Sequence, residues 1–340
     1  MDIRPQSRLP KFRKDRKTHI ERALSVIPFP YYWAWAVFGG ATFLISFALL
    51  MMMEKSFYFI WIFLVLSLLI TWQSIGVVWA HKKMGQFAET FINLVIWPEE
   101  EIKRRYERQM AKIFDDRKMV LTGILAVILA HILGIDYMGF SFHAYLTIVF
   151  KFIYYLSIYT LGIGLYVLIM TALAVNKIGD LPLSASVLFS RDMQSIGILY
   201  SKFTAYASSV YLIWVIFLMM TPLELSHHER VMIFLAFAVL LLSYFIIPQR
   251  SIHRLMARTK HEKIDAFSSH LCDVADVAFI NPTDERLLSL NDMLNIQRQM
   301  DKMSEWPFSF YELIHIIVIT IIPLIVLALE ILHGALYEHR

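Results

Sequence analysis

The amino-acid sequence predicts an all-α, polytopic membrane protein with about seven transmembrane helices and a cytoplasmic helical hairpin. Of its 340 residues, 58% are hydrophobic and only 18% are charged, whereas soluble domains are about 45–50% apolar and about 25% charged. Seven stretches are apolar and long enough to cross a bilayer core of about 30 Å as helices. Lipid offers no hydrogen-bond partners, so every backbone group in a span must pair within the protein, as in a helix or a β-barrel. The alternating segments typical of a β-barrel are not visible, so we predict helices.

The apolar stretches divide the chain into transmembrane and extramembrane segments. The spans are predicted at residues 33–53, 57–79, 120–139, 145–175, 203–220, 231–247 and 310–332. Pro323 interrupts the last span, and if that helix does not cross the bilayer the protein has six spans. The predicted segments are a basic cytoplasmic tail (1–30), spans 1 and 2 (31–80), cytoplasmic helices (81–119), spans 3 and 4 (120–175), a cytoplasmic or interfacial linker (176–202), spans 5 and 6 (203–247), a cytoplasmic helical hairpin (248–307), and the last span with its tail (308–340).

Lysine and arginine predict the orientation of these spans. Of the 32 basic residues, 28 lie before the first span or in the segments 80–119, 176–202 and 248–307. Because basic residues are in excess on the cytoplasmic side, we expect the N-terminus to be cytoplasmic in the inner (plasma) membrane. The first segment lacks the apolar core and cleavage site of a signal peptide. Its basic cluster is expected to lie against anionic lipid headgroups and not to bind nucleic acid.

Local sequence signals predict helices in the cytoplasmic segments. Trp-Pro-Glu-Glu-Glu at 97–101 is typical of a helix start, because proline suits the first turn and acidic residues suit its positive end. Asn-Pro-Thr-Asp-Glu at 281–285 predicts a turn followed by a second helix start. Amphipathic patterns on both sides of that turn predict an antiparallel helical hairpin.

The end of the sixth span and the entry to the last span carry a recognisable pattern. Pro-Gln-Arg-Ser-Ile-His-Arg at 248–254 follows the sixth span, and Glu-Trp-Pro-Phe at 305–308 leads into the last. This part of the chain resembles a group of uncharacterised multipass membrane proteins of bacteria and archaea. In that group a charged helical segment with a Trp-Pro-Phe entry precedes the last span. The resemblance implies an architecture and assigns no activity or functional residue.

Polar residues within the third and fourth spans are the first candidates for a functional site, because ionisable groups are costly in lipid. Lys151 lies in the outer half of span 4, and Asp136 lies at the outer end of span 3, so antiparallel packing would let the two pair. Tyr155 and Tyr159 share one face of span 4, and span 3 also carries His131. We predict that these five residues line a pore or substrate path. A snorkelling lysine, a buried structural pair or a packing face are the alternatives.

The last span contains a second candidate site. Glu312 and His315 are three residues apart, so they lie on one helix face near the cytoplasmic end of that span. A gate or proton relay would use such a pair, whereas a structural role would leave both side chains solvated among the lipid headgroups.

No motif in the sequence predicts catalysis or cofactor binding. The single cysteine excludes an intrachain disulfide and a metal site with several cysteines. No spaced histidine motif, nucleotide fingerprint or pair of aspartates within the spans is visible. We therefore expect no enzymatic activity, no cofactor and no bound metal.

The function most consistent with these features is a homo-oligomeric ion channel or pore for an inorganic ion, with a cytoplasmic helical region for assembly or gating. Such a protein needs only pore-lining groups and a constriction, so it does not require a catalytic motif. A membrane-embedded scaffold or signalling protein that acts through its cytoplasmic helices is the main alternative. A secondary transporter is the other, although no internal repeat is visible.

Overall fold

The computed structural model is α-helical wherever it describes regular structure. It describes residues 18–23, 30–52, 58–94, 97–132, 144–178, 192–221, 227–280 and 283–301, together with Ile314, Val318, Ile321 and Ile325 as single helical residues. No strand occurs within these ranges. The prediction of an all-α protein is confirmed for this part of the chain.

The described ranges contain helices of very different lengths. In chain order they are α1 (His19–Ala23), α2 (Tyr31–Met52), α3 (Tyr58–Leu94), α4 (Glu99–Ile113), α5 (Asp116–Ile132), α6 (Ala144–Ile178), α7 (Asp192–Met220), α8 (His227–Ile280) and α9 (Asp284–Asp301). Helices α4 and α9 begin at the predicted starts, directly after Pro98 and Thr283.

Within the described residues, five helices are long and apolar enough to cross a bilayer. Their apolar parts are Tyr31–Met51, Phe59–Ala88, Thr147–Lys177, Ile196–Met220 and Leu235–Asp276. These five correspond to predicted spans 1, 2, 4, 5 and 6, so the chain has the helices of a multi-pass membrane protein. The third predicted span is described only over the 17 residues of α5, and most of the last lies outside the described residues. The number seven stays a prediction.

Two helices continue through positions where the sequence predicts the end of a span. Helix α3 runs for 37 residues and passes the predicted boundary at residue 80. Helix α8 runs for 54 residues and contains Pro248, where the sequence predicts the end of the sixth span. At about 1.5 Å per residue, α8 is about 80 Å long, which exceeds a hydrocarbon core of about 30 Å.

The chain forms two compact units. The first comprises Met1–Ala88, Glu107–Val167 and Ile213–Leu225. Its core contains a row of aromatic rings in which Tyr154 stacks on Phe150 at 6.1 Å and on Phe217 at 6.0 Å, measured between ring centroids. Because these rings are stacked and buried, they hold α6 against the end of α7 that belongs to the same unit.

The second unit comprises Glu89–Tyr106, Leu168–Leu212 and Ser226–Arg340. Within it, α9 packs antiparallel to the C-terminal part of α8. The Gln297 side chain donates a hydrogen bond to Ser268 Oγ at 3.2 Å, and Lys260 Nζ donates to the carbonyl oxygen of Asp301 at 2.9 Å. The connection between the two helices is short, which is typical of a helical hairpin.

Candidate functional site

Lys151 lies on the exposed surface of the first unit, on the apolar helix α6. Its neighbours on that face, Ile148 and Phe152, are each 65% exposed, and the Lys151 side chain is exposed as well. Among the described residues, no ion pair involves Lys151. Asp136, its predicted partner, lies outside the described residues, so that pairing stays a prediction.

His131 and Tyr155, which the sequence analysis assigns to a pore or substrate path, lie in contact. The distance from His131 Nδ1 to Tyr155 Oη is 3.2 Å, and the ring centroids are 6.5 Å apart. His131 is exposed in the last turn of α5, and Tyr155 is half-buried one turn along α6 from Lys151. The three side chains therefore form a polar strip on the surface of the first unit, and we call it the α5–α6 strip.

Tyr159 has different neighbours from those of the α5–α6 strip. Its ring lies against Gly123 of α5, where an added Cβ would be 2.5 Å from two ring carbons. Its hydroxyl oxygen is 3.5 Å from Nε2 of His19 on α1. One turn further along α6, an added Cβ on Gly162 would be 2.7 Å from the carbonyl oxygen of Thr122. These contacts are those of two closely packed helices, and they leave a path role for Tyr159 untested.

The second predicted site is the pair Glu312 and His315 in the last span. Glu312 and His315 both lie outside the described residues. Their proposed role as a gate or proton relay stays a prediction.

Sequence reasoning did not find a polar cluster in which α1 is attached to α5. Asp116, the first residue of α5, accepts hydrogen bonds from the backbone N–H of His19 at 2.8 Å and from its ring nitrogen Nδ1 at 3.3 Å. Arg22 forms an ion pair with the other oxygen of the same carboxylate. We call this set of three residues the α1 clamp.

A second carboxylate joins α1 to α3. Glu21 accepts a hydrogen bond from the backbone N–H of Thr18 at 2.7 Å, and its own N–H donates to Thr18 Oγ1 at 3.3 Å. Nδ1 of His81 on α3 lies 3.6 Å from the same carboxylate. The Thr-x-x-Glu spacing of a capping box was a visible sequence signal for this short helix. Its partners on α3 and α5 are distant in the sequence and had no such signal.

A buried hydrogen-bond network joins α3, α6 and α7 inside the first unit. When the Gln73 amide is oriented with its nitrogen toward α6, it donates to Thr160 Oγ1 and to the carbonyl oxygen of Ser157, the latter at 3.0 Å. Its oxygen then accepts from the indole nitrogen of Trp214 at 2.6 Å. Because every polar atom of the amide is paired, this network stabilises helix packing in an apolar interior.

Other buried polar atoms near these helices have no hydrogen-bond partner in the part of the chain that the structure describes. They are the indole nitrogen of Trp35 and the hydroxyl oxygens of Ser67, Ser74 and Ser157. Such groups are usually paired with a protein atom or an ordered water. The hydroxyls of Ser67 and Ser74 are seven residues apart and therefore lie on one face of α3.

The described ranges contain no group of three or more His, Cys, Asp or Glu side chains that could hold a metal ion. The arrangement of long apolar helices, with polar side chains both on its surface and between its helices, defines the class of this chain as a multi-pass helical membrane protein. Comparison of the chain with protein-family models, with curated proteins and with solved structures gives no match.

Proposed function

We propose that the protein is a homo-oligomeric ion channel of the plasma membrane, whose pore is lined by the α5–α6 strip of each subunit. The observation that carries this proposal is the exposure of Lys151 on the surface of an apolar helix. Lys151 is the fifth residue of the apolar part of α6, and a charged side chain that faces lipid within a membrane-spanning helix is costly. Water in a pore, shared by several subunits, removes that cost.

The charge of the strip indicates the permeant ion. A ring of lysines contributed by several subunits attracts anions, as rings of basic side chains do in anion pores. The paired His131 and Tyr155 supply polar groups four residues of α6, about 6 Å, further along the same wall. We therefore propose that the channel prefers small inorganic anions over cations.

The proposed topology follows from the distribution of basic residues. Seven spans, a cytoplasmic N-terminus and a cytoplasmic hairpin of α8 and α9 would place 28 of the 32 lysines and arginines on the cytoplasmic side. In this arrangement the protein has the bilayer and its own copies as partners. It acts by conduction, without an enzymatic step or a cofactor.

Current across a planar bilayer that contains the purified, full-length protein tests the proposal. In asymmetric potassium chloride we expect discrete unitary steps whose reversal potential lies near the chloride equilibrium potential. Lys151→Gln should lower the unitary conductance several-fold and move the reversal potential toward zero. Lys202→Gln is the matched control, because Lys202 is an exposed lysine in another apolar helix.

Two results would contradict the channel. One is a silent bilayer in which insertion has been verified by protease protection. The other is a current that Lys151→Gln and Lys202→Gln change to the same extent.

A second candidate function is a membrane-embedded scaffold that acts through its hairpin. It is favoured by the apolar side chains at the tip of that hairpin, where Phe279 is 75% and Ile280 is 84% exposed, and Leu287 and Leu288 are exposed nearby. Exposed apolar patches in water often mark interaction sites. If this candidate is right, Phe279→Ser with Ile280→Ser abolishes partner binding, and Lys151→Gln does not.

A further inference from the structure

Helix α8 contains a proline whose missing hydrogen bond is supplied from another helix. Proline has no backbone N–H, so Pro248 cannot donate to the carbonyl oxygen of Tyr244 four residues earlier. A carbonyl left unpaired in an apolar interior would weaken or bend the helix at this point. Tyr244 is buried, so water does not reach this carbonyl freely.

Tyr200 of α7 supplies the donor that Pro248 lacks. Its hydroxyl donates to the carbonyl oxygen of Tyr244 at 2.7 Å. The rings of Tyr200 and Tyr244 are also in contact, with centroids 4.9 Å apart, and both side chains are buried. Unlike the backbone ladder of α8, this hydrogen bond breaks and forms by rotation of one side chain, without unfolding the helix.

The residue after the proline carries a buried side-chain amide that is not paired by any described residue. Gln249 is only 2% exposed, yet within the described residues neither the nitrogen nor the oxygen of its amide has a hydrogen-bond partner. An amide that is buried without partners is unfavourable, and native structures rarely tolerate one without a reason. A small rotation of α8 at Pro248 would present this amide to new neighbours.

We propose that Pro248 is a hinge in α8 with two positions. The hydrogen bond from Tyr200, which we call the catch, holds the position seen in the structure. The Gln249 amide is paired only in the second position. In the position seen in the structure, the Tyr244 carbonyl is paired and the Gln249 amide is not. In the second position the catch is open and the amide is paired. Each position therefore leaves one polar group unsatisfied, which keeps the two close in free energy.

The hinge would move the part of α8 that carries the hairpin relative to its apolar N-terminal part. It depends only on residues of the second unit, and it does not require the protein to be a channel. Beyond the hinge, Ser251 Oγ donates to the carbonyl oxygen of Asn176 at 2.8 Å. That second hydrogen bond from a side chain to a carbonyl must also break when α8 turns.

Distances between two spin labels on α8 test the hinge. One label uses Cys272, which is the only cysteine of the chain and is exposed. The other uses Val239→Cys, on the opposite side of Pro248, at a side chain that is 55% exposed. The two positions are about 50 Å apart along a straight helix. The full-length protein is measured in bilayers and diluted with unlabelled Cys272→Ser protein, so that distances between subunits do not contribute.

We expect Tyr200→Phe to move part of the distance distribution to shorter values, because it removes the catch and keeps the ring. Pro248→Ala restores the backbone donor, so it should give one narrow, long distance, and Tyr200→Phe should then have no effect. The matched control is Tyr211→Phe, because Tyr211 also lies on α7 and stacks on α8 through Phe237 at 6.2 Å. It should leave the distribution unchanged.

Gln249→Leu provides an independent test, because leucine has a similar size and no amide to pair. It should narrow the distribution around the long distance. The hinge is overturned if Tyr200→Phe leaves the distribution of the otherwise unchanged protein unaltered. It is also overturned if Tyr200→Phe acts equally in the Pro248→Ala background, or if Gln249→Leu favours the short distances.

Discussion

The ring of Tyr159 on α6 lies so close to Gly123 on α5 that a Cβ added to the glycine would be 2.5 Å from two ring carbons. No real Cβ contact is that short, so the two helices approach each other as they do only because residue 123 has no side chain. Small residues at helix contacts are typical of membrane proteins, in which close packing replaces the hydrophobic drive for association.

This contact predicts that Gly123→Ala destabilises the protein by about 1–3 kcal/mol, because the added methyl group must push the Tyr159 ring aside. The measurement is the midpoint of thermal unfolding in detergent, followed by tryptophan fluorescence. Gly164→Ala is the matched control, since an added Cβ there meets nothing within 4 Å. We expect Gly164→Ala to be neutral or slightly stabilising, and equal midpoints for the two variants would contradict the close contact.

The second prediction compares the effects on stability of substituting two adjacent buried residues, Gln73 and Ser74. Gln73→Leu removes the hydrogen bonds to α6 and leaves the indole N–H of Trp214 unpaired, so it should cost about 1–3 kcal/mol. Ser74→Ala removes an equally buried hydroxyl for which the described residues supply no hydrogen-bond partner, so it should be neutral or stabilising. Unfolding midpoints of the two variants, measured side by side, test this. A larger loss for Ser74→Ala would show that its hydroxyl is paired.

The α1 clamp predicts that the Asp116 carboxylate controls the local opening of α1. Asp116→Asn weakens the hydrogen bonds from His19 and removes the ion pair with Arg22. A loss of about 1–2 kcal/mol from charge-assisted hydrogen bonds corresponds to a rise of about 5- to 30-fold in local opening. Hydrogen exchange of the α1 amides, followed by mass spectrometry, should speed up by that factor. Glu101→Gln, which breaks only the exposed pair with Arg105, is the control and should not change it.

A buried tyrosine outside the apolar helices predicts a loss of stability at alkaline pH. Burial raises the pKa of Tyr106 on α4 well above its usual value. In the unfolded chain this phenol loses its proton at a pH of about 10. The stabilisation is therefore complete below that pH and is lost as the pH rises toward the folded-state pKa. Tyr106→Phe should reduce the fall in unfolding midpoint between pH 8 and pH 11, and Tyr32→Phe, at an exposed ring, should not.

The sequence was sufficient for features that depend on neighbouring residues. The starts of α4 and α9 follow from proline, acidic and capping residues within a few positions, and both helices begin where these signals predict. The apolar helices follow from composition alone, because about 20 apolar residues in a row are needed to span a bilayer and are rare elsewhere.

Features that depend on residues distant in the sequence could not be predicted in the same way. The carboxylate of Asp116 receives His19 and Arg22 from a helix that begins 97 positions earlier, and nothing near Asp116 indicates that pairing. Tyr159 was assigned to a path because it shares a face with Tyr155. Its observed neighbours, Gly123 and His19, are decided by how α5 and α6 approach each other.

The sequence by itself determined that this is a protein of long apolar helices with a charged helical pair near its end, because hydropathy and helix-start signals are local properties of the chain. Only the tertiary structure decided that α8 continues through Pro248. A proline predicts the end of a helix because the carbonyl four residues before it loses its donor. The hydroxyl of Tyr200, brought there by the packing of α7 on α8, supplies that donor, and the helix continues.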